Sequence, residues 1–184
     1  MSQSPTPVVA PSGEQACVPG LAARLLVLAA EDRRLAREAA ALPVDATPAK
    51  ALVVARGDHG RWLREIVRTS GWPTFKAVGE DASTAAVTIL LGARSRHLLG
   101  LCRPLIADAV VEESTPAIHL AYVDDLFAVL LERHQTYGTQ VDPARLEPFP
   151  IHDAKSVDAR RAVVGLAPLA TVLAEMRAAM DRAR

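Results

Sequence analysis

Apolar residues recur along most of this chain at helical rather than strand spacing. In LAARLLVLAAEDRRLAREAAAL, Leu21, Leu25, Leu28, Leu35 and Leu42 track one face, and Pro43 stops the run. The next fifteen residues, PVDATPAKALVVARG, keep no clear period and read as a linker with a short extended piece. Asp58 then stands as an N-cap for HGRWLREIVRTS, in which Trp62, Leu63, Ile66 and Val67 make one apolar face. Gly71 ends that helix, because glycine accepts the left-handed conformation of a C-cap. Gly71, Pro73 and Gly79 mark GWPTFKAVGED as a loop. Asp81 or Ser83 caps the stretch ASTAAVTILLGARSRH, the most apolar in the chain through Leu91 and therefore the expected central core helix.

The second half repeats the pattern. LLGLCRPLIADAVVEE predicts a helix kinked or opened by Pro104. Thr115-Pro116 opens AIHLAYVDDLFAVLLERHQ, whose apolar face (Leu120, Val123, Leu126, Phe127, Leu130, Leu131) is interrupted by Asp124 and Asp125. A proline-marked loop, VDPARLEPFPIHDAKS, precedes a short helix, VDARRAVVG, closed by Gly165. Pro168 starts the last helix, with Leu169, Val172, Leu173, Met176 and Met180 facing inward. Strand signals are weak. The fold class is all-α: a single-domain helical bundle of about six helices, with a long Pro-rich loop after Tyr137-Gly138-Thr139-Gln140. Residues 1–18 are rich in Ser, Pro and Gln and without period, so they read as a disordered tail, leaving 19–184 as one helical domain.

Composition narrows the function classes. A chain of 184 residues fits one domain that buries roughly 70% of its unfolded surface without a staple. Lys+Arg and Asp+Glu are both 21, which argues against a nucleic-acid partner. No apolar run approaches the ~20 residues of a membrane span, and the start lacks the pattern of a signal peptide, so a cytoplasmic protein is expected. Abundant alanine and an excess of arginine over lysine suit a GC-rich bacterial genome. Cys17 and Cys102 lie far apart and form no Cys-x-x-Cys pair. His59, His97, His119, His134 and His152 have no zinc-like spacing, so no metal is expected. Without a glycine-rich phosphate loop, nucleophile elbow or dinucleotide fingerprint, no cofactor is expected either.

The segments GWPT, VGEDA, LAYVDD, QTYGTQ, PFPIHD and VDARRAVVGLAPL, in this order, resemble a bacterial family of unknown function, the domain family numbered 6624, from about Leu21 to the C-terminus. The resemblance implies fold and site but no activity. Typical members carry Gln-His-Ala-Asp where this chain has Ala93, Arg94, Ser95 and Arg96, a glutamine at the place of Cys102, and Asp-Arg at Asp125 and Leu126. The chain thus keeps Asp125, Gln135 and the tetrad but lacks the family's helix histidine, which implies a divergent function.

Two readings of the site follow. In the first, the protein is a cofactor-free small-molecule enzyme of bacterial specialised metabolism, of cyclase, isomerase, lyase or hydrolase type. Asp125 serves as base or orienter, Tyr137 as acid and Gln140 as donor to a developing oxyanion. Arg94 anchors an anionic substrate or neutralises Asp125, with His97, Trp72, Thr139 and Gln135 lining the site. In the second, it is a non-catalytic module for a small molecule or a protein partner, with a decayed family site. Tyr137 and Gln140 then pin the loop to the bundle and Asp125 is a structural partner. The expected partner is a small-molecule ligand, with an anionic one as an option, or in the second reading a protein; neither nucleic acid nor membrane is expected, and a homo-oligomer is an open option.

Overall fold

The computed structural model describes residues 20–41 and 46–182, and the N-terminal segment 1–18 lies outside them. Eight α-helices are present among these residues: α1 Leu21–Ala41, α2 Ala46–Ser70, α3 Phe75–Val78, α4 Glu80–Ala93, α5 Arg96–Val111, α6 Ala117–Leu130, α7 Val157–Val163 and α8 Leu169–Arg182. A two-residue hairpin pairs β1 (Val141–Asp142) with β2 (Glu147–Pro148) antiparallel, Val141 opposite Pro148. The chain is all-α, with its long irregular stretch after α6 as the sequence predicts.

The core is made by α1, α2 and α4, with α5 and α6 closing one side. Leu21, Leu25, Leu28 and Leu35, the periodic leucines of α1, are buried, and so are Leu63 and Val67 of α2. The apolar stretch of α4 lies at the centre, where Ala85, Ala86, Ile89 and Leu90 are almost wholly buried. Trp72, Pro73 and Thr74 of the GWPT segment are buried as well, and Thr74 caps α3 by accepting the Ala77 N–H. Cys102 is fully buried, and burial pushes its thiol up to about 12.

Several boundaries differ from the sequence reading. From Ala46 on, the supposed linker is the first half of α2, a helix of 25 residues. Its Ala, Leu, Lys and Arg are strong helix formers, and Pro48 falls in the first turn, where a missing N–H is tolerated. Asp58 is therefore no N-cap; it sits inside α2 and pairs with Arg61. Gly57 and Gly60 do not interrupt that helix. A Cβ on Gly60 would lie 2.7 Å from the Cβ of Ala93, so the glycine is what lets α4 approach α2.

The central stretch ends earlier than its composition suggests. Gly79, not Asp81 or Ser83, is the N-cap of α4, and Arg94 takes a left-handed conformation (φ 46°) that breaks the helix. Ser95 then caps α5 by accepting the Leu98 N–H, and Pro104 lies inside α5. The N-cap of α6 is Pro116 rather than Thr115. On α8, Leu169, Val172, Leu173, Met176 and Met180 are half-buried; the face is as predicted, but the helix lies at the rim and none of them enters the core.

Polar groups inside this frame are partnered where they carry charge. Arg56 of α2 donates to both oxygens of Asp32 of α1, Nε at 2.6 Å and Nη2 at 3.0 Å, directly beneath Gly92 of α4. His119, in the first turn of α6, is buried, and its Nε2 lies 3.4 Å from Thr84 Oγ1. Burial lowers its pKa, so the unfolded chain binds a proton there more readily than the folded one. Stability from this group is present above its unfolded value, ~6.5, and is lost as pH falls through the folded value. Unfolding followed from pH 7.5 to 5 should show a decline that His119→Gln removes. At the α2–α4 crossing, Gly60→Val should destabilise by ~1–3 kcal/mol in a denaturant titration, because the Ala93 side chain has nowhere to move.

Candidate functional site

The loop that leaves α6 is built around one carboxylate. Asp125 sits mid-helix among Val123, Leu126 and other apolar neighbours and is fully buried. Its Oδ1 accepts from the N–H groups of Thr136 (2.7 Å) and Tyr137 (3.1 Å), and its Oδ2 from Tyr137 (3.2 Å) and Thr139 (2.8 Å). The chain can fold back this sharply because Gly138 takes φ 68°, a left-handed value open to glycine at no steric cost. Three backbone donors of the turn are thus satisfied by one side chain.

Two arginines of α7 grip the same peptides from the other side. Arg160 Nε donates to the Thr136 carbonyl at 2.8 Å, and Arg161 Nη1 to the Tyr137 carbonyl at 2.7 Å. The peptide unit between Thr136 and Tyr137 is thus held at its oxygen by a guanidinium and at its N–H by a carboxylate, so its dipole is aligned between opposite charges. Arg161 is almost fully buried, and its Nε donates to the Ala167 carbonyl at 2.6 Å. Neither Asp125 nor Arg161 has an oppositely charged side chain within ion-pair distance among the described residues. The loop backbone is what separates and partners them.

Gln135 completes the scaffold. Fully buried, it donates from Nε2 to the carbonyls of Gln140 and Phe149, each at 2.9 Å, and accepts the Gln140 N–H on Oε1 at 2.7 Å. Its main chain bridges to Pro150 and His152. Gln140 spends its own side chain on Thr139 Oγ1 (3.1 Å).

Tyr137 is the group of the tetrad left over. It is half-buried, and its hydroxyl has no hydrogen-bond partner among the described residues. Burial raises its pKa, the charges of Asp124 and Asp125 raise it further, and Arg160 opposes them. The phenol therefore stays protonated at neutral pH, a hydrogen-bond donor rather than a base. Asp124 beside it is tied to Arg103 at 2.6 Å, with that guanidinium 4.8 Å over the ring of Phe127.

The other sequence candidates lie elsewhere. Trp72 is part of the hydrophobic core. Arg94 is exposed at the break between α4 and α5, and no hydrogen bond or ion pair joins it to Asp125. His97 lines a cleft of about 110 Å³ with Arg61, Arg64 and Ser95, walled by Gly57 and Gly60. A larger groove of about 540 Å³ runs between α1 and α2, where His59 Nε2 lies 3.2 Å from Glu31. Among the described residues no group of three His, Cys, Asp or Glu side chains is placed to hold a metal ion, and no helix is long and apolar enough to cross a membrane.

Sequence reasoning passed over Arg160, Arg161, Arg64 and the His59–Glu31 pair. The arginine pair stood inside the quoted VDARRAVVG segment, so a signal for it existed. His59 and Glu31 are 28 positions apart on different helices, and no local spacing announces them.

The clamp makes a direct prediction. Asp125→Asn puts an N–H₂ in place of one of the two accepting oxygens, facing backbone N–H donors, and should lower unfolding free energy by at least ~2 kcal/mol, the scale of a buried tie that loses its partner. Arg161→Met should do the same, whereas Tyr137→Phe should stay within ~0.5 kcal/mol of the parent. Chemical denaturation of the three variants measures this, and Tyr137→Phe falling with the others would make its side chain part of the anchor.

No curated protein and no solved structure matches this chain. A family model does, over residues 19–181. The chain therefore belongs to the Family of unknown function (DUF6624).

Proposed function

We propose that this domain is a non-catalytic module that binds a small anion, a phosphate- or carboxylate-bearing molecule, at the junction of α4 and α5. The reading is carried by uncompensated positive charge. Between Asp81 and Asp108 the chain has Arg94, Arg96, His97 and Arg103 and no acidic residue. Arg103 has Asp124. Arg94, Arg96 and His97 have no hydrogen bond or ion pair to any described residue, and neither has Arg64 of α2 across the cleft.

Arg96 and His97 also occupy the first turn of α5, the positive end of a sixteen-residue helix. The Arg96 cation there opposes the helix dipole, whereas an anion is favoured by it. A bound phosphate or carboxylate would relieve that repulsion and accept from Arg64 and the free N–H groups of the turn. In this reading the Asp125 clamp builds the domain and does no chemistry, since a proton acceptor must offer its substrate a lone pair and those of Asp125 are turned into the loop.

Inorganic phosphate, pyrophosphate and citrate are the probes. At a hundredfold excess over Kd, a ligand that binds only the folded state adds ~2.7 kcal/mol of stability. Arg64→Ala and His97→Ala should each weaken binding at least ~10-fold in calorimetric titration, about 1.4 kcal/mol, with affinity falling as salt rises. No shift of the melting temperature with any of the three anions overturns the reading.

The cofactor-free enzyme is the second reading, and one observation favours it: the neutral, uncommitted phenol of Tyr137 beside Asp124. There Tyr137 is the acid, and Tyr137→Phe would abolish turnover of a substrate while leaving the unfolding midpoint in place.

A further inference from the structure

The groove between α1 and α2 has no part in the anion site and differs from it in character. Its volume of about 540 Å³ lies in the range of small-ligand sites. On α1, Arg24, Leu28, Glu31 and Leu35 follow one another at three- and four-residue steps and so form one stripe. Across from it α2 contributes Ala51, Val54 and Ala55, with Asp58 and His59 near one end. Val54 is 64% exposed and its neighbour Val53 71%, so branched apolar side chains face water where a helix pair could have carried polar ones.

The charges in the groove decide what it can take. Glu31 is engaged by His59, and Asp58 by Arg61. Arg24 has no side-chain hydrogen bond or ion pair to any described residue. An incoming molecule therefore meets Leu28, Leu35, Ala51, Val54 and Ala55, with Arg24 as the cation of the groove that has no side-chain partner among the described residues. At a rise of ~1.5 Å per residue, Arg24 and Leu35 are ~16 Å apart, roughly the length of an extended chain of ten to twelve carbons. Burying such a chain draws on the hydrophobic effect, and a carboxylate matches the fork of a guanidinium.

We infer that the α1–α2 groove is a binding site for an elongated amphipathic monocarboxylate, its carboxylate on Arg24 and its chain along Leu28, Val54, Ala51 and Leu35. His59 and Glu31, with Nε2 and Oε2 3.2 Å apart, form a wall that offers hydrogen bonds.

Isothermal titration of the full chain with decanoate and with decanol, both below their aggregation concentrations, tests the inference. In Arg64→Ala, whose anion cleft is disabled, one decanoate should bind per chain, with decanol at least tenfold weaker. Arg24→Gln should weaken decanoate at least tenfold and leave decanol unchanged. Val54→Glu should abolish both. Neither Arg24 nor Val54 is a core residue, and circular dichroism confirms that the variants fold. Val163→Glu, at an exposed valine of α7, should bind decanoate as the parent does, and Arg64→Ala as the common background separates failure here from failure of the anion site. Equal binding of decanoate and decanol overturns the inference, as does undiminished decanoate binding in Arg24→Gln or Val54→Glu. A concentration-dependent dimer that Val54→Glu dissociates and decanoate does not would give the groove to a second copy of the chain instead.

Discussion

The segment from α6 through α7 depends on a carboxylate and two guanidinium groups that never meet. Asp125 on α6 holds the N–H groups of Thr136, Tyr137 and Thr139, while Arg160 and Arg161 on α7 hold the carbonyls of Thr136 and Tyr137. A buried charge without compensation is costly, and a direct ion pair would recover only part of its desolvation. Spreading the compensation through peptide dipoles satisfies the loop backbone at the same time. Through it α6, the loop, the β1–β2 hairpin with its Gln135 scaffold, and α7 become one unit.

The packing of α1, α2 and α4 follows a different rule. These helices pack through alanines, leucines and two glycines, and closeness of approach is what the sequence secures there. Gly60 admits Ala93, and Gly92 lies over the Asp32–Arg56 pair, whose geometry is bidentate and so directional. Such packing leaves α1 and α2 covered by α4 along one side and open along another, where the groove ends in Arg24. It also brings the break at Arg94 beside α2, so that Arg64 faces the first turn of α5. Both proposed ligand sites are therefore by-products of how α4 is seated, not of the tetrad.

The chemistry of the tetrad changes meaning once its partners are known. Tyr-Gly-Thr-Gln directly after an apolar helix suggests convergent functional groups. In place, the glycine makes the turn, Thr139 and Gln140 bond to each other or to the scaffold, and the polar side chain left uncommitted is the phenol of Tyr137.

Helical class, the faces of α1, α6 and α8, the short helix α7 and the long loop are legible in the sequence, because a period of 3.6 residues and the punctuation of proline and glycine are local properties. The first half of α2 escaped that reading: its apolar residues are spread around the helix, and only packing against α1 decides which side is covered. The break at Arg94 escaped it too, since an arginine in a left-handed conformation has no local signature and is imposed by the seating of α5. For the site, the sequence by itself determined which residues were chemically able: a mid-helix aspartate, a tyrosine, glutamines and unneutralised arginines. Tertiary structure decided which of them are free. Whether Asp125 is a base or an anchor, and whether Arg94 faces it or solvent, depends on contacts between residues far apart in the chain, and no spacing rule encodes those.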